Sequence, residues 1–244
     1  SHFRCKATFK QQVSQSMDES YIQKLSNIKV LIVGDLMLDT FYSGDVYTIS
    51  PEAPVPVLSN CRRQQVPGGA ANVAVNCASI GVSTKLIGII ADDIAGETLS
   101  KILSENSKIS ASLIIDSEGV TTEKIRYTSA GHHLLRIDNE GSNELCAVIE
   151  QDLIAKLERA IPDCNVVVLS DYMKGCLTDK VIAEVMTLAK RENKKVLVDP
   201  KRKDFCEYLR PYLIKPNSIE AKNALKLDKW TEEKITQESR EKWR

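Results

Sequence analysis

Two kinds of block alternate along this chain. Ile28-Lys29-Val30-Leu31-Ile32-Val33 is an apolar, β-branched run that stops at Gly34-Asp35, the pattern of a strand buried on both faces. Lys85–Ile90, Ala111–Ile115, Val166–Leu169, Lys195–Val198 and Tyr212–Ile214 are further short strands of this kind. Between them run longer segments with a helical period. These are Ile94–Leu103 behind Asp92 or Asp93, then Asn143–Ala160, then a segment behind Thr178 carrying Val181, Ile182, Val185, Leu188 and Ala189. Strand and helix in alternation predict βαβ units and a parallel sheet. Lys124–Tyr127 and Leu134–Ile137 read as a hairpin, with Gly131 and a solvated His132-His133 pair at its turn.

Two stretches depart from this rhythm. Phe41–Leu58 carries Pro51, Pro54 and Pro56. Proline cannot donate to a ladder, so an edge strand or extended flap off the main sheet is predicted. Residues 67–81, from Pro67-Gly68-Gly69-Ala70-Ala71-Asn72 to Gly81, are apolar nearly all round. They read as a short, fully buried helix with an open N-terminus and a Gly C-cap. Glycines without Cβ let a ligand approach the backbone, and the free N–H groups of a helix start attract oxygens and anions. Asn72 adds donors and acceptors. The arrangement suits a polyhydroxylated ligand. A tight turn into a core helix, with Asn72 satisfied internally, accounts for the same residues equally well.

Composition narrows the function classes. The 244 residues carry no net formal charge, so no basic field collects nucleic acid or anionic membrane. No apolar run approaches the roughly 20 residues of a membrane span. Seven irregularly spaced cysteines without a C-x-x-C point to free thiols and a cytoplasmic setting. Residues 1–20 lack the apolar core of a secretory signal, and residues 1–25 read as an arm or tag. Residues 26–225 hold the domain, and 226–244 form a charged tail.

Neither G-x-G-x-x-G nor a P-loop occurs. Three polar clusters instead follow predicted strands: Gly34-Asp35-Leu36-Met37-Leu38-Asp39, Ser170-Asp171-Tyr172-Met173-Lys174-Gly175 and Asp199-Pro200-Lys201. They should share one edge of the sheet, where open α/β folds bind ligands. Asp39 there can accept hydrogen bonds from sugar hydroxyls, and its plainer reading is a cap or turn residue. Asn217-Ser218-Ile219-Glu220 has the form of a capping box. It could also set an amide and a carboxylate beside a Mg²⁺–phosphate group. On the residues alone the cap is the stronger reading.

Gly68-Gly69-Ala70-Ala71-Asn72 followed by Gly81 resembles the first signature of the ribokinase-like, phosphofructokinase-B type carbohydrate kinases, and Asn217-x-x-Glu220 resembles their metal- and phosphate-associated motif. Gly34–Asp39, Ile49-Ser50-Pro51-Glu52-Ala53-Pro54-Val55-Pro56-Val57 and Ser170-Asp171-Tyr172-x-Lys174-Gly175 are similar to the heptose-7-phosphate kinase branch, which serves lipopolysaccharide-precursor synthesis. The resemblance implies a three-layer α/β/α sandwich with a mostly parallel sheet and a small β-lid, at about 41–58 and 111–137, that often pairs in a homodimer. It implies ATP-dependent, Mg²⁺-assisted phosphoryl transfer to the sugar's anomeric hydroxyl. By match, Asp39, Gly68, Gly69 and Asn72 would hold the sugar. Lys174, Asp199, Lys201 and Asn217 would lie toward nucleotide and phosphates, and Glu220 toward Mg²⁺. Arg136 and Arg126 are candidates for the 7-phosphate by charge and position.

Ala91-Asp92-Asp93 stands where the family usually has Gly before the aspartates. No Gly follows Gly175, so the family's second signature, a glycine-rich anion hole with the catalytic Asp, is not expected in the tail. No catalytic base is therefore assigned. Two other readings stay open: another acceptor such as ribose, fructose or a nucleoside, and a non-catalytic sugar-binding or dimerisation protein.

Overall fold

Leu31, Ile32 and Val33 expose none of their surface. Their strand, β1 (Lys29–Gly34), lies between β4 (Ser83–Ala91) and β8 (Val166–Ser170), both parallel to it. The computed structural model describes residues 24–141 and 144–226. The expected arm and charged tail lie almost wholly outside these residues. Among the described residues the main sheet runs β10-β9-β8-β1-β4-β5, where β5 is Ile109–Asp116, β9 is Lys195–Asp199 and β10 is Leu213–Ile214. All its pairings are parallel. Alternate residues of β1 feed two cores. Leu31 and Val33 join Leu153 and Leu157 of α3 (Ala147–Ala160) and Val181 and Val185 of α4 (Asp179–Arg191). Val30 and Ile32 join Ala70 and Ala74 of α1 (Gly69–Ser79) and Leu99 and Leu103 of α2 (Ile94–Ser104). The expected three-layer α/β/α sandwich follows.

A second, smaller sheet stands off the C-terminal edge of the first. It contains β2 (Leu36–Ile49), β3 (Pro56–Gly68), β6 (Thr122–Ser129) and β7 (His132–Asn139), in the order β3-β2-β6-β7. Its central pair, β2 and β6, is parallel. This corrects the expected lid boundaries. The strand at Ala111–Ile115 belongs to the main sheet beside β4, where Ile109 and Ile114 are buried in the two cores. Conversely, β3 runs through Cys61-Arg62-Arg63-Gln64-Gln65 to the glycine pair. It is an edge strand, which is where Pro56 and Pro67 are tolerated. Ala130 and Gly131, both at positive φ, make the two-residue turn between β6 and β7, and His132 and His133 are exposed.

Helix ends follow their sequence signals closely. Asp93 caps α2 by accepting from Gly96 N (2.7 Å), and Thr178 caps α4 by accepting from Val181 N (3.1 Å). Gly81, at φ +92°, closes α1 with the Gly81 N–H on Ala78 O and the Val82 N–H on Cys77 O, a Schellman ending. Two helix expectations change. α1 is buried along Gly69, Ala70, Ala71, Ala74 and Ala78, while Asn72, Asn76 and Ser79 are exposed, so it is half-buried. α3 opens at Ala147 rather than Asn143, with no side-chain cap at Cys146.

Candidate active site

Gly34 pairs with Ser170, and Ser170 pairs with Asp199. The ends of β1, β8 and β9 are thus level, and the three polar clusters meet at one sheet edge. Two of their carboxylates are spent on holding that edge together. Asp35, 2% exposed, accepts from the backbone N–H groups of Tyr172 (2.7 Å), Lys174 (3.1 Å) and Cys176 (3.0 Å). Burial pushes its carboxyl above the usual range, opposed by those three N–H groups. Asp171 accepts from Met173 N (2.7 Å), Tyr208 OH (2.7 Å) and Arg202 Nε (3.4 Å). Both aspartates shape the 170–176 loop.

One half of the crevice is built where β2 meets the glycine pair. Asp39 leans over Gly68 so closely that a Cβ there would stand 2.6 Å from Asp39 Oδ2. Gly69 takes φ +54° and packs on the Asp35 carbonyl, which also accepts from Ala70 N (2.9 Å). One N–H of the α1 start is therefore satisfied within the chain, contrary to the open terminus expected. Asn72 is exposed in the first turn of α1, and its side chain has no hydrogen-bond partner among the described residues. That removes the reading in which it is satisfied internally. Asp39 Oδ1 accepts from Arg126 Nη1 at 2.6 Å, and the Arg126 guanidinium lies 5.2 Å above the Phe41 ring.

Register puts further charge on the same face of the small sheet. Asp39 pairs with Lys124, Lys124 with Asp138, and Arg126 with Arg136. Cations placed directly opposite would repel, and each arginine has its own carboxylate. Arg136 grips Asp138 with two bonds, at 2.6 and 2.5 Å. Those bonds hold the Asp138 carboxyl below its usual range. This face therefore offers carboxylates that accept from hydroxyls beside guanidinium and ammonium groups that attract a phosphate. Asp138 was not singled out from sequence. The signal was its i, i+2 spacing from Arg136, which puts both on one strand face.

The other half lies at the ends of β9 and β10. Asn217 Oδ1 accepts from Ile219 N (3.0 Å) and Glu220 N (2.9 Å), and Glu220 Oε2 accepts from Asn217 N (2.8 Å). The capping box is formed, and it opens α5 (Ser218–Leu225). Glu220 Oε1 faces Lys201 Nζ at 3.4 Å. Burial raises the Asp199 carboxyl, Lys215 and Lys201 pull it down, and Glu220 pushes it up. Asp199, Lys201, Asn217 and Glu220 thus form one charged group. Tyr172 stands between the two halves. Its phenol is pushed up by burial and by the carboxylates of Asp199, Asp39, Glu220 and Asp35. The local sequence around Tyr172 gives it no role of its own. Lys174, expected toward the phosphates, is engaged elsewhere, with its Nζ 2.5 Å from Glu140 Oε2 just past β7.

Oxygen donors on Asp199 and Glu220 suit a hard cation such as Mg²⁺, which usually takes one or two carboxylates and fills its remaining positions with phosphate and water. Among the described residues no group of three or more His, Cys, Asp or Glu forms a self-sufficient metal cage.

Known proteins give the same picture. Residues 27–242 match the pfkB family of carbohydrate kinases. The bifunctional protein HldE of Hyphomonas neptunium is 41% identical over 204 residues, which are 84% of this chain and 42% of that protein. HldE of Caulobacter sp. K31 is 44% identical over 199 residues, 82% of this chain and 40% of that protein. The chain thus spans about two fifths of the length of these curated relatives. Among solved structures, Escherichia coli phosphofructokinase-2 in its tetrameric inhibited form superposes with a TM-score of 0.66, at 16% identity, over 88% of this chain and 69% of that one. Ribokinase from Giardia lamblia gives 0.62 at 17% identity, over 80% of this chain and 63% of that one. With nearly its whole length matched, this chain belongs to the pfkB family of carbohydrate kinases.

Proposed function

We propose that the protein takes part in ATP-dependent phosphorylation of the anomeric hydroxyl of a heptose 7-phosphate, on the route to lipopolysaccharide precursors. The observation that carries this reading is the mixed face of the small sheet. Asp39 beside the Gly68-Gly69 turn, with Asp138 near it, accepts from sugar hydroxyls. Lys124, Arg126 and Arg136 on that face favour a sugar that already bears a phosphate over a neutral one. The names of the HldE relatives and the Ile49–Val57 string support the same acceptor.

In this reading the small sheet is a lid. Gly68, Gly69 and Asn72 form the floor on which the sugar rests, and Tyr172 separates it from the phosphate side. Lys201, Asp199 and Asn217 line the phosphate side, and Glu220 holds the metal. Mg²⁺, when bound, supplies charge neutralisation on the transferring phosphoryl group. What these residues contribute is positioning and fixed charge, the larger part of catalysis in phosphoryl transfer. The setting is cytoplasmic. Cys61, Cys77, Cys146, Cys164, Cys176 and Cys206 are free thiols, and no described helix is long and apolar enough to cross a membrane. The outer lid face, with Tyr42 stacked on Tyr127 at 5.0 Å and Leu135 and Ile137 exposed, pairs two copies.

The deciding experiment is isothermal titration with heptose 7-phosphate, with unphosphorylated heptose and then with ATP·Mg²⁺, assaying ADP in the same cell. The expected result is binding of the phosphorylated sugar well above the neutral one. Equal binding of both sugars overturns the acceptor, and binding of neither overturns the sugar site.

A further inference from the structure

The small sheet is joined to the rest of the fold at four junctions: Gly34-Asp35-Leu36 from β1, Gly68-Gly69 into α1, the segment between β5 and β6, and the segment between β7 and α3. Three of them converge on one pair of residues. Asp35 makes the first junction, and its carbonyl accepts from Ala70 N (2.9 Å) at the second. Its carboxylate accepts from Lys174 N (3.1 Å). Lys174 then reaches the last junction with its side chain, Nζ lying 2.5 Å from Glu140 Oε2. Both side chains are mostly covered, at 21% and 29% exposed. Lys174 therefore holds the entry of the small sheet with its backbone and the exit with its ammonium.

We propose that Lys174 is a positioning residue, which fixes the small sheet over the Gly68-Gly69 floor through Glu140. A freely exposed ion pair adds little to stability. This one is partly shielded, and it bridges two elements whose separation sets the width of the crevice. Loss of the pair frees β7 at its exit and leaves the main sheet intact, because Asp35 still receives the three backbone N–H groups. That the sheet closes over a sugar rests on the kinase reading above. The connection itself does not.

Hydrogen exchange on the chain as it stands separates the two. In Lys174→Met and in Glu140→Gln, amides of β6 and β7 should exchange faster, by roughly three- to tenfold, while β1, β4 and β8 keep their protection. Lys174→Arg and the exchanged pair Glu140→Lys with Lys174→Glu should restore the slow rates, and added salt should act as a weak version of Glu140→Gln. Unchanged β6 and β7 rates in both single variants overturn the proposal. So does a uniform rise across the chain, or a failure of the exchanged pair to restore protection. Titration of Glu140→Gln with heptose 7-phosphate adds the functional arm, with weaker binding expected. If the unaltered chain binds no sugar, the kinase reading fails while the exchange result still decides the role of Lys174.

Discussion

Asp39 and Gly68 are diagonal neighbours across β2 and β3 with no room for a methyl group between them: a Cβ at Gly68 would lie 2.6 Å from Asp39 Oδ2 and 2.7 Å from Met37 Cγ. Gly68→Ala must push Asp39 off Arg126 or spread the two strands. Overpacking of this kind costs about 1–3 kcal/mol. The expected outcome is a lowered urea midpoint together with weakened sugar binding. Asp39→Asn tests the other side of the contact. It keeps the volume, frees Arg126, and should weaken sugar binding with little change in midpoint. Unchanged titration heats in Asp39→Asn would remove Asp39 from the site.

Asn217 and Glu220 are separable by experiment because the two roles proposed for them use different atoms. Asn217→Ala removes the acceptor that caps α5 and should cost about 1 kcal/mol, as N-cap losses do. Glu220→Gln keeps a side-chain oxygen for the Asn217 N–H, so the cap survives. It removes the charge that faces Lys201 and the metal. Thermal melts should therefore shift in Asn217→Ala and hold in Glu220→Gln. Mg²⁺-dependent ATP binding should fall in Glu220→Gln. A melt that shifts equally in both would reduce Glu220 to a capping residue.

Burial raises the Asp199 carboxyl above its ordinary 3.8, so the native state holds this proton more tightly than the unfolded chain does. Where the folded protein binds more protons, stability falls as pH rises. The contribution of Asp199 should therefore be greatest below 3.8, decline as pH climbs through the raised native value, and be flat above it. Asp199→Asn should lack this decline. Urea midpoints of the two proteins across the acid range give the comparison, and other carboxyl groups cancel in the difference. Parallel curves would show that Asp199 is not buried enough to matter.

Leu135 is 55% and Ile137 42% exposed on β7, on the face opposite Arg136 and Asp138. If this face joins two copies, Leu135→Asp with Ile137→Asp should give a monomer in analytical ultracentrifugation and leave sugar binding by the separate chain in place. A sedimentation profile that does not change with these substitutions would place any dimer contact elsewhere.

Much of this could be read from sequence where a single physical rule decided the outcome. β1 follows from an unbroken β-branched run, and the caps at Asp93 and Thr178 follow from a side-chain oxygen ahead of a helical period. β3 was hidden because Arg62, Arg63 and Gln64 are exposed on an edge strand, and a strand with no buried face leaves no alternation to find. Alanine counts as apolar, so the pattern of α1 predicts burial all round, whereas its small side chains serve only the one face that packs closely on the sheet. Within the site, Asp39 follows from its place after a strand, and the glycine pair from the apolar helix that it opens. Asp138 and the Glu140–Lys174 pair do not, since they depend on register in a sheet whose pairing order no local pattern reveals. Asp35 and Asp171 stand in the polar clusters that follow strands, where open α/β folds bind ligands. Only the fold shows that their oxygens are already taken.

Ser43 and Thr128 share a hydrogen bond across β2 and β6 although 85 positions separate them. Between these parallel partners run β3, α1, β4, α2 and β5. The central pairing of the small sheet therefore closes a long loop, which makes it a slow step beside the local hairpins. Early in folding the local pairings available are the β2–β3 and β6–β7 hairpins, with their open edges unguarded. Anything that slows the β4–β5 half, including a cavity under Leu86 or Leu99, should prolong that exposed stage. Aggregation during synthesis would then arise from residues far from the strands that stick.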